Sequence, residues 1–430
     1  MAASARSILA LRHRVFYGWR MVGAAFFNQI MHSSLLFLSQ GFYVVQFEST
    51  FGWSRGAVSW AFGLLRIETG LLGPIQGWLL DRFGPRPLMR AGTVLFGVGL
   101  ILLGQIQELW HLFAALTVIA VGTSLASFLT INTALAHWFI RKRARAMSVT
   151  SIGFAGGAVV APLIALSITT FGWRETAVFS GILSFCIGLP LAQLFRHSPQ
   201  ELGLNPDGDS DEDAARHAAA RRAAGTDYDF TLREAIRDRS FWLVSSGHGL
   251  ALLVVGTIPV HLVPHLVESD EWNLARAALL FPGLMVAQVI GQVSGGILGD
   301  RHPKRLLAGL AMLGHGTGIC LLAWSSSVPV VVAAILLHGV SWGMRGPLMM
   351  ALRADYFGLR QLGKIAGWSN TITASGSIIG PVYAGIMYDA RGDYVFAFLS
   401  LGMVTIAGSL TFFLARRPPL PARARAARAG

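Results

Sequence analysis

The feature that most constrains this 430-residue chain is a succession of twelve apolar runs, each about 20 residues or longer. A helix of that length crosses the ~30 Å hydrocarbon core of a bilayer. Barrel strands are excluded because the runs are about twice a strand's length and do not alternate between polar and apolar residues. The predicted spans are residues 20–46, 54–80, 88–106, 111–138, 147–169, 174–195, 241–267, 275–298, 305–324, 328–352, 365–388 and 394–415.

The composition supports a membrane protein. Hydrophobic residues make up 53% of the chain and charged residues 13%, whereas a soluble domain carries about 25% charged residues. The net charge of +13 comes from residues in short loops and at the termini, a pattern typical of contact with anionic lipid rather than nucleic acid. The lipid bilayer is therefore a predicted partner and nucleic acid is not.

The two cysteines, Cys186 and Cys320, fall inside apolar runs in different halves of the chain. This placement gives neither a disulfide framework nor the ligand spacing of a metal site. The sequence predicts no cofactor and no obligate protein partner.

A polar segment, residues 196–239, separates the sixth run from the seventh. Its acidic patch at 207–213 and the Ala/Arg patch that follows contain few large apolar side chains, so we expect a solvated, flexible linker. The predicted organisation has an N-terminal tail (1–19), a six-helix bundle (20–195), the linker, a second six-helix bundle (240–415) and a basic tail (416–430).

The distribution of Lys and Arg predicts the orientation. With the N-terminus inside, 29 basic residues fall in cytoplasmic segments, 4 in external loops and 2 inside spans. Positively charged loops stay on the cytoplasmic side, so both termini and the linker are predicted to be cytoplasmic. We expect a bacterial inner (plasma) membrane.

A repeat organises the whole chain. The segment Gly77–Arg86, between runs two and three, returns as Gly296–Arg305 between runs eight and nine, at an offset of 219 residues. Trp53 and Trp272 share that offset. Six helices followed by six in the same orientation form a parallel repeat about an axis along the membrane normal.

Small residues four apart mark one helix in each half. The fifth run carries Gly153 and Gly157, and the eleventh carries Gly376 and Gly380. Such pairs let helices approach closely, so both runs are predicted to pack tightly against a partner.

The motif Gly77-x3-Asp81-Arg82-x-Gly84-x-Arg86, with its copy Gly296-x3-Asp300-Arg301, resembles the loop signature of the major facilitator superfamily. Phe16–Arg20, Phe51–Ser54 and Gly380-Pro381 resemble its monocarboxylate and oxalate/formate antiporter branch. The resemblance implies an all-α membrane protein with twelve transmembrane helices in two pseudo-symmetric six-helix bundles. It also implies bundles that rock around a site lined mainly by spans 1, 4, 7 and 10.

The chain departs from that branch in two spans. Where the branch carries an Arg in span eight, this sequence offers Gln288 and Gln292, and Lys364 lies at the mouth of span eleven. This departure argues against a dicarboxylate such as oxalate.

Burying an ionisable group deep in a membrane costs free energy, so such a residue is a candidate for a functional role. Arg345 shares a helix face with His338 and Trp342, so it is a candidate anchor for an anionic substrate, with the indole supporting the rest of a small acid. The alternatives are a structural ion pair with Glu68 or capping of broken backbone near Gly346-Pro347.

Span two carries Arg66 and Glu68, which lie on roughly opposite helix faces and are not expected to pair with each other. Glu68 is the predicted proton-coupling residue, since a lone membrane carboxylate can bind a proton reversibly. Its alternative role is to neutralise Arg66 or Arg345. Arg66 is a further candidate for substrate binding.

Polar stripes mark three other spans: Asn28 and His32 in span one, His261 with His265 in span seven, and Asn370 in span eleven. Each is predicted either to line the substrate cavity or to form interhelical hydrogen bonds. No third ligand accompanies the histidine pair, so no metal site is predicted.

The repeated motif is a predicted conformational latch. Its residues are Gly77, Asp81, Arg82, Gly84, Arg86, Asp300 and Arg301. Asp81 is expected to hold the bundles together at the N-terminus of span eleven, where the helix dipole favours an anion. Arg141 or Arg145 is its predicted partner, and the alternative is an ordinary loop cap.

The predicted function is secondary active transport by alternating access, moving a small organic anion of monocarboxylate type by proton symport or exchange. The alternative within this class is proton-driven efflux of an apolar compound. A membrane-bound enzyme or receptor is disfavoured, because the sequence offers no nucleophile, paired-carboxylate or metal motif and no sizeable sensory domain.

Overall fold

The computed structural model describes residues 15–421 except 127, 224–227, 269–270, 274–275, 278 and 325; the side chains of 55, 56, 59 and 65–69 also lie outside the description. The described chain is helical and contains no strand. The spans are span 1, Tyr17–His32, Ser33–Phe37 and Gln40–Phe51; span 2, Arg55–Leu71 and Gly73–Phe83; span 3, Pro85–Gly104; span 4, Leu109–Ala126 and Phe128–Trp138; span 5, Arg143–Phe171; span 6, Trp173–Leu183, Ser184–Gly188 and Leu189–Gln193; span 7, Arg239–Val267; span 8, Leu280–Arg301; span 9, Lys304–Trp324; span 10, Val328–Phe357; span 11, Leu362–Arg391; and span 12, Val395–Leu414.

Ten of these helices are long and apolar enough to cross a membrane by length and composition, and the other two are spans 2 and 11. Spans 2 and 11 pack against each other across the two bundles. Because these two helices face protein rather than lipid, they can carry small and polar residues, and those residues lower the hydropathy of both spans.

Each bundle has its own apolar core. In the first bundle Tyr43, Phe47 and Trp173 belong to one buried cluster. In the second, Tyr394 and Phe398 belong to its counterpart. The two bundles of six helices confirm the predicted all-α architecture.

The glycine pairs bring helices into backbone contact. A methyl group on Gly153 would overlap the backbone of Phe26 in span 1, and one on Gly376 would overlap Gly249 in span 7. The prediction of close helix packing at these pairs is confirmed, since only hydrogen fits in either contact.

The linker, expected to be flexible and solvated, contains regular helical structure. The segment contains the helical turns Pro199–Leu202 and Pro206–Gly208 and the helices Asp211–Ala223 and Leu232–Arg237. Polar contacts attach the segment to the bundles at Asp207 and Asp229, and the helix Asp211–Ala223 between them has no buried residue.

Asp207 is the clearest of these contacts. It is 6% exposed and adopts a left-handed φ of 61°. Its carboxylate accepts hydrogen bonds from the backbone N–H groups of Ile140, Arg141 and Lys142 at 3.2, 2.9 and 3.1 Å. The linker thereby caps the loop between spans 4 and 5.

Asp229 makes the corresponding contact with the second bundle. Its Oδ1 accepts hydrogen bonds from the N–H groups of Leu359 and Arg360 at 2.6 and 3.2 Å, in the loop between spans 10 and 11. Asp207 therefore attaches the linker to the first bundle, and Asp229 attaches it to the second.

Candidate functional site

A cavity of 310 Å³ lies between the two bundles. The first bundle contributes residues of spans 1, 4 and 5, and the second contributes residues of spans 7, 8, 10 and 11. The lining residues are Phe37, Phe128, Leu129, Asn132, Ser151, Phe154, His248, Gln288, Gln292, Trp342, Gly346, Met349, Met350, Arg353 and Asn370. Spans 1, 4, 7 and 10 are those that the family resemblance implies.

Arg353 is the charged group on this wall. It is 4% exposed, its Nη2 donates to His248 Nδ1 at 3.1 Å, and its Nε has no hydrogen-bond partner among the described residues. None of the lining residues above is an aspartate or a glutamate. The cavity therefore presents a buried cation that no carboxylate among the described lining residues neutralises.

Sequence reasoning missed Arg353. The predicted tenth span ended at residue 352, which made Arg353 appear to be a loop charge. The helix continues to Phe357, so Arg353 lies on its inner face, about two turns beyond Arg345. The sequence did offer one signal: Arg353 lies eight residues after Arg345, a spacing that places both on the same side of a continuous helix.

Amide side chains surround the same cavity. Gln288 and Gln292 are 5% and 4% exposed, and their Oε1 atoms, like Oδ1 of Asn132, have no hydrogen-bond partner among the described residues. Each amide carries two N–H donors and one carbonyl acceptor, so the wall can both donate to an anion and accept from a hydroxyl group.

Trp342 lies on the cavity wall, but Arg345 and His338 lie behind it in the second bundle. Arg345 is 1% exposed, and its Nε and Nη1 have no hydrogen-bond partner among the described residues. The Nδ1 atoms of His338 and His315 are 3.2 Å apart, so one ring donates to the other. Two buried arginines, Arg345 and Arg353, thus lie in the same bundle as the buried His315 and His338 and the half-buried His248.

The polar stripes divide between cavity and core. Asn370 lines the cavity. Asn28 donates to the Ala126 carbonyl at 3.0 Å, and His32 stacks on Phe96 with ring centroids 4.2 Å apart, so both lie within the first bundle.

His261 contacts the Pro381 carbonyl at 2.9 Å and the Tyr394 hydroxyl at 3.2 Å, within the second bundle. The side chains of Arg66 and Glu68 lie outside the described residues, and their proposed roles stay predictions.

The bundles are joined at one end by a pair of aspartates. Asp81 accepts hydrogen bonds from the N–H groups of Gly363 and Lys364 at 2.9 and 3.0 Å, at the N-terminus of span 11. Because these donors are otherwise unpaired at a helix N-terminus, the carboxylate both satisfies them and complements the helix dipole.

Asp300 makes the symmetric contact. Its Oδ1 accepts a hydrogen bond from the N–H of Ala144 at 2.9 Å, and its Oδ2 pairs with Nε of Arg145 at 3.0 Å, at the N-terminus of span 5. Ala144 precedes Gly363 by the same 219 residues that separate the two aspartates. We call this pair of contacts the latch.

The first glycine of each motif allows this approach. A methyl group on Gly77 would overlap the Gly363 backbone, and one on Gly296 would overlap Ser148. Leu80, Met147 and Met350 form an apolar cluster beside these contacts. The latch therefore combines backbone contact, apolar packing and two charge-assisted hydrogen-bond groups.

The predicted arginine partners of Asp81 are wrong. Arg145 pairs with Asp300, and Arg141 contacts Asp207 and Asp209 of the linker. The spacing of these residues in the sequence could not predict the partners. Backbone N–H groups already occupy the carboxylate of Asp81, and Arg145 pairs with the symmetric Asp300 instead.

The other motif residues act within one bundle. Arg86 donates to the Phe195 and Gln193 carbonyls at 3.0 and 2.7 Å, at the end of span 6. The guanidinium of Arg82 lies 5.4 Å from the ring of Trp78, and Arg301 is exposed. Gly84 has a φ of 77°, a conformation that favours glycine where the chain turns into span 3.

A sequence model of the family described as Major Facilitator Superfamily matches residues 16–287 and 245–430. Monocarboxylate transporter 13 of Bos taurus is 25% identical to this chain, over 91% of the chain and 88% of its own length. A protein of Cupriavidus necator named probable sulfoacetate transporter SauU is 27% identical, over 83% of each chain. The structure of the human organic anion transporter MFSD10 superimposes with a TM-score of 0.69 at 16% identity, covering 92% of this chain and 99% of that one.

Proposed function

Since this chain belongs to the major facilitator superfamily and is a membrane transporter rather than an enzyme, we propose that it moves a small organic anion of the monocarboxylate type. Transport proceeds by alternating access, with a proton or in exchange for another anion. Two relatives, named for monocarboxylate and sulfoacetate transport, support a small organic acid as the cargo.

The observation that carries this proposal is the buried cation on the cavity wall. Removing a guanidinium from water costs several kcal/mol unless an opposite charge or good hydrogen bonds replace the water. Arg353 has one neutral histidine partner, and the cavity lining named above holds no carboxylate. A bound carboxylate or sulfonate would supply the missing charge, and a planar guanidinium can bind either with two hydrogen bonds.

The remaining walls suit a small acid. Trp342 together with Phe37, Phe128 and Phe154 offers apolar faces, and the volume of 310 Å³ is at the lower limit for small-molecule sites. Arg345 lies one layer behind Trp342, where its charge adds to the positive potential even without direct contact.

The latch end is proposed to face the cytoplasm of a bacterial cell, since the basic residues concentrate on that side. The arrangement then corresponds to a carrier closed on its cytoplasmic side. Release of the latch opens the cavity to the cytoplasm, and its reformation returns the carrier to the state described here.

Transport by purified protein in liposomes tests the proposal. We expect saturable uptake of radiolabelled short monocarboxylates or sulfonates without chemical change. Uptake into empty vesicles driven by an inward proton gradient indicates symport, whereas uptake only into preloaded vesicles indicates exchange. If Glu68 couples the proton, Glu68→Gln abolishes the proton-driven accumulation and leaves exchange intact.

Arg353→Gln should lower anion uptake by at least about tenfold, the loss expected for one charge-assisted contact. Arg237→Gln, at an exposed arginine of the linker, removes the same charge away from the cavity and serves as the control. Saturable transport of apolar cations with no response to carboxylates would replace the anion proposal with efflux. Formation of a chemical product would overturn the carrier itself.

A further inference from the structure

A second and larger cavity, of 610 Å³, lies at the latch end, away from the central cavity. Its wall comes from the start of span 5, the end of span 10, the loop that follows span 10, the linker and the segment after span 12. Its charged lining residues are Arg143, Arg221, Asp229, Asp355, Arg360 and Arg417. We call it the linker cavity.

The linker cavity is strongly basic. Its lining contains four arginines and two aspartates. Both carboxylates are engaged: Asp355 pairs with Arg143 and with Lys304 Nζ at 2.7 Å, and Asp229 accepts hydrogen bonds from two backbone N–H groups. Among the described lining residues, arginines therefore outnumber carboxylates and the wall has an excess of positive charge.

Arg417 illustrates the electrostatic consequence. Partial burial lowers the pKa of this guanidinium, and the nearby Asp355 and Tyr356 oppose that shift. A cation that has lost part of its hydration gains more from an added anion than a fully solvated one does.

We propose that the linker cavity binds a multiply charged oxyanion with the chemistry of a phosphate group, and that binding stabilises the conformation with the latch closed. Arginine side chains match the paired oxygens of phosphate. The volume admits a phosphate ester or a lipid headgroup.

The state dependence follows from the composition of the wall. Arg143 belongs to the first bundle and Arg360 to the second, so the cavity exists only while the bundles meet at this end. An anion that binds this state more tightly than the open one shifts the population toward it by that difference in affinity. The site is spatially separate from the central cavity, because the two share no lining residue.

The test uses the full chain in uncharged detergent, with tripolyphosphate as the soluble probe and calorimetric titration as the measurement. Arg360→Gln and Arg221→Gln should each weaken saturable binding by about tenfold, the loss expected for one charge-assisted contact. Arg233→Gln, at an exposed linker arginine outside the cavity, removes the same charge and should bind like the unchanged protein. Arg360 is exposed, so its variant should unfold at an unchanged temperature without probe.

A spin-label distance across the latch end supplies the second measurement. Tripolyphosphate should increase the closed population in the unchanged protein and not in Arg360→Gln. Vesicles of phosphatidylcholine with and without phosphatidic acid form the lipid arm: an effect of phosphatidic acid alone, lost in Arg360→Gln, assigns the phosphate to a lipid headgroup. Absence of binding to both probes, or equal effects in Arg360→Gln, overturns the site, whatever the transport assay shows.

Discussion

Replacing Asp81 with asparagine tests the latch at its most defined contact. The carboxylate accepts hydrogen bonds from two backbone N–H groups of the other bundle, at 2.9 and 3.0 Å. Asparagine keeps the shape but loses the charge, and its NH₂ group cannot accept a hydrogen bond. One of the two N–H groups at the start of span 11 is then left facing another donor.

The magnitude follows from these contacts. A hydrogen bond to a charged group contributes about 1.5–3 kcal/mol, and a charge at a helix N-terminus about 0.3–1 kcal/mol. Because Asp81 is partly accessible to solvent, we take about 2 kcal/mol, which changes the ratio of closed to open carrier about thirtyfold. Asp300→Asn should act similarly, and since the two aspartates share no partner, their effects should nearly add.

Double electron–electron resonance measures the predicted shift. Labels at Pro87 and His302, two exposed positions on opposite bundles, report the separation at the latch end. Cys186 and Cys320 are first replaced by alanine, because both are free. We expect Asp81→Asn to add or enlarge a long-distance population, and the double aspartate variant to make it dominant.

Arg82→Gln is the matched control, since Arg82 belongs to the same motif but stacks on Trp78 and makes no hydrogen bond across the bundles among the described contacts. Its distance distribution should match that of the unchanged protein. If Asp81→Asn leaves the distribution unchanged in a folded protein, Asp81 is a loop cap and the latch reasoning is refuted. Equal shifts in Asp81→Asn and Arg82→Gln, which change the net charge in opposite directions, would point to a general disturbance of the loop rather than to loss of the Asp81 contact.

Three further outcomes are expected. Gly77→Val should open the latch end in the same distance measurement because its side chain would overlap the other bundle, whereas Gly23→Val, with open space around it, should not. Asp207→Asn should destabilise the protein by about 2 kcal/mol in thermal unfolding, since three backbone N–H groups lose a charged acceptor; an unchanged melting temperature would contradict this. Arg345→Met should stabilise the substrate-free protein by about 1–3 kcal/mol in the same assay by removing a buried charge; destabilisation would instead reveal a carboxylate partner such as Glu68.

Some features were predictable because they depend on local sequence. Apolar runs of membrane length place the spans, and the recurrence of Gly77–Arg86 as Gly296–Arg305 gives the two-fold repeat. The placement of Asp81 at the start of span 11 was also predicted, since a helix N-terminus attracts a carboxylate wherever the chain brings the two together.

The site was less predictable, because the positions of side chains around a cavity depend on helix rotation. A shift of five residues in the end of span 10 turned Arg353 from a loop charge into the cation of the cavity wall. Arg345, the more conspicuous residue in the sequence, lies behind that wall. Periodicity shows which residues share a face, but it does not show what that face meets.

By itself the sequence determined that this chain spans a membrane with twelve helices in two related halves, because hydrophobic length and repeated motifs act locally. Only the tertiary structure decided that Asp300 rather than Asp81 pairs with Arg145, that Asp207 caps a loop of the first bundle, and that Arg353 lines the cavity. The Arg145–Asp300 pair joins residues more than a hundred positions apart, and the contacts of Asp207 span 65–67 residues. The position of Arg353 on the cavity wall depends on the rotation of its helix. Such contacts depend on how whole helices pack, which no local pattern of residues records.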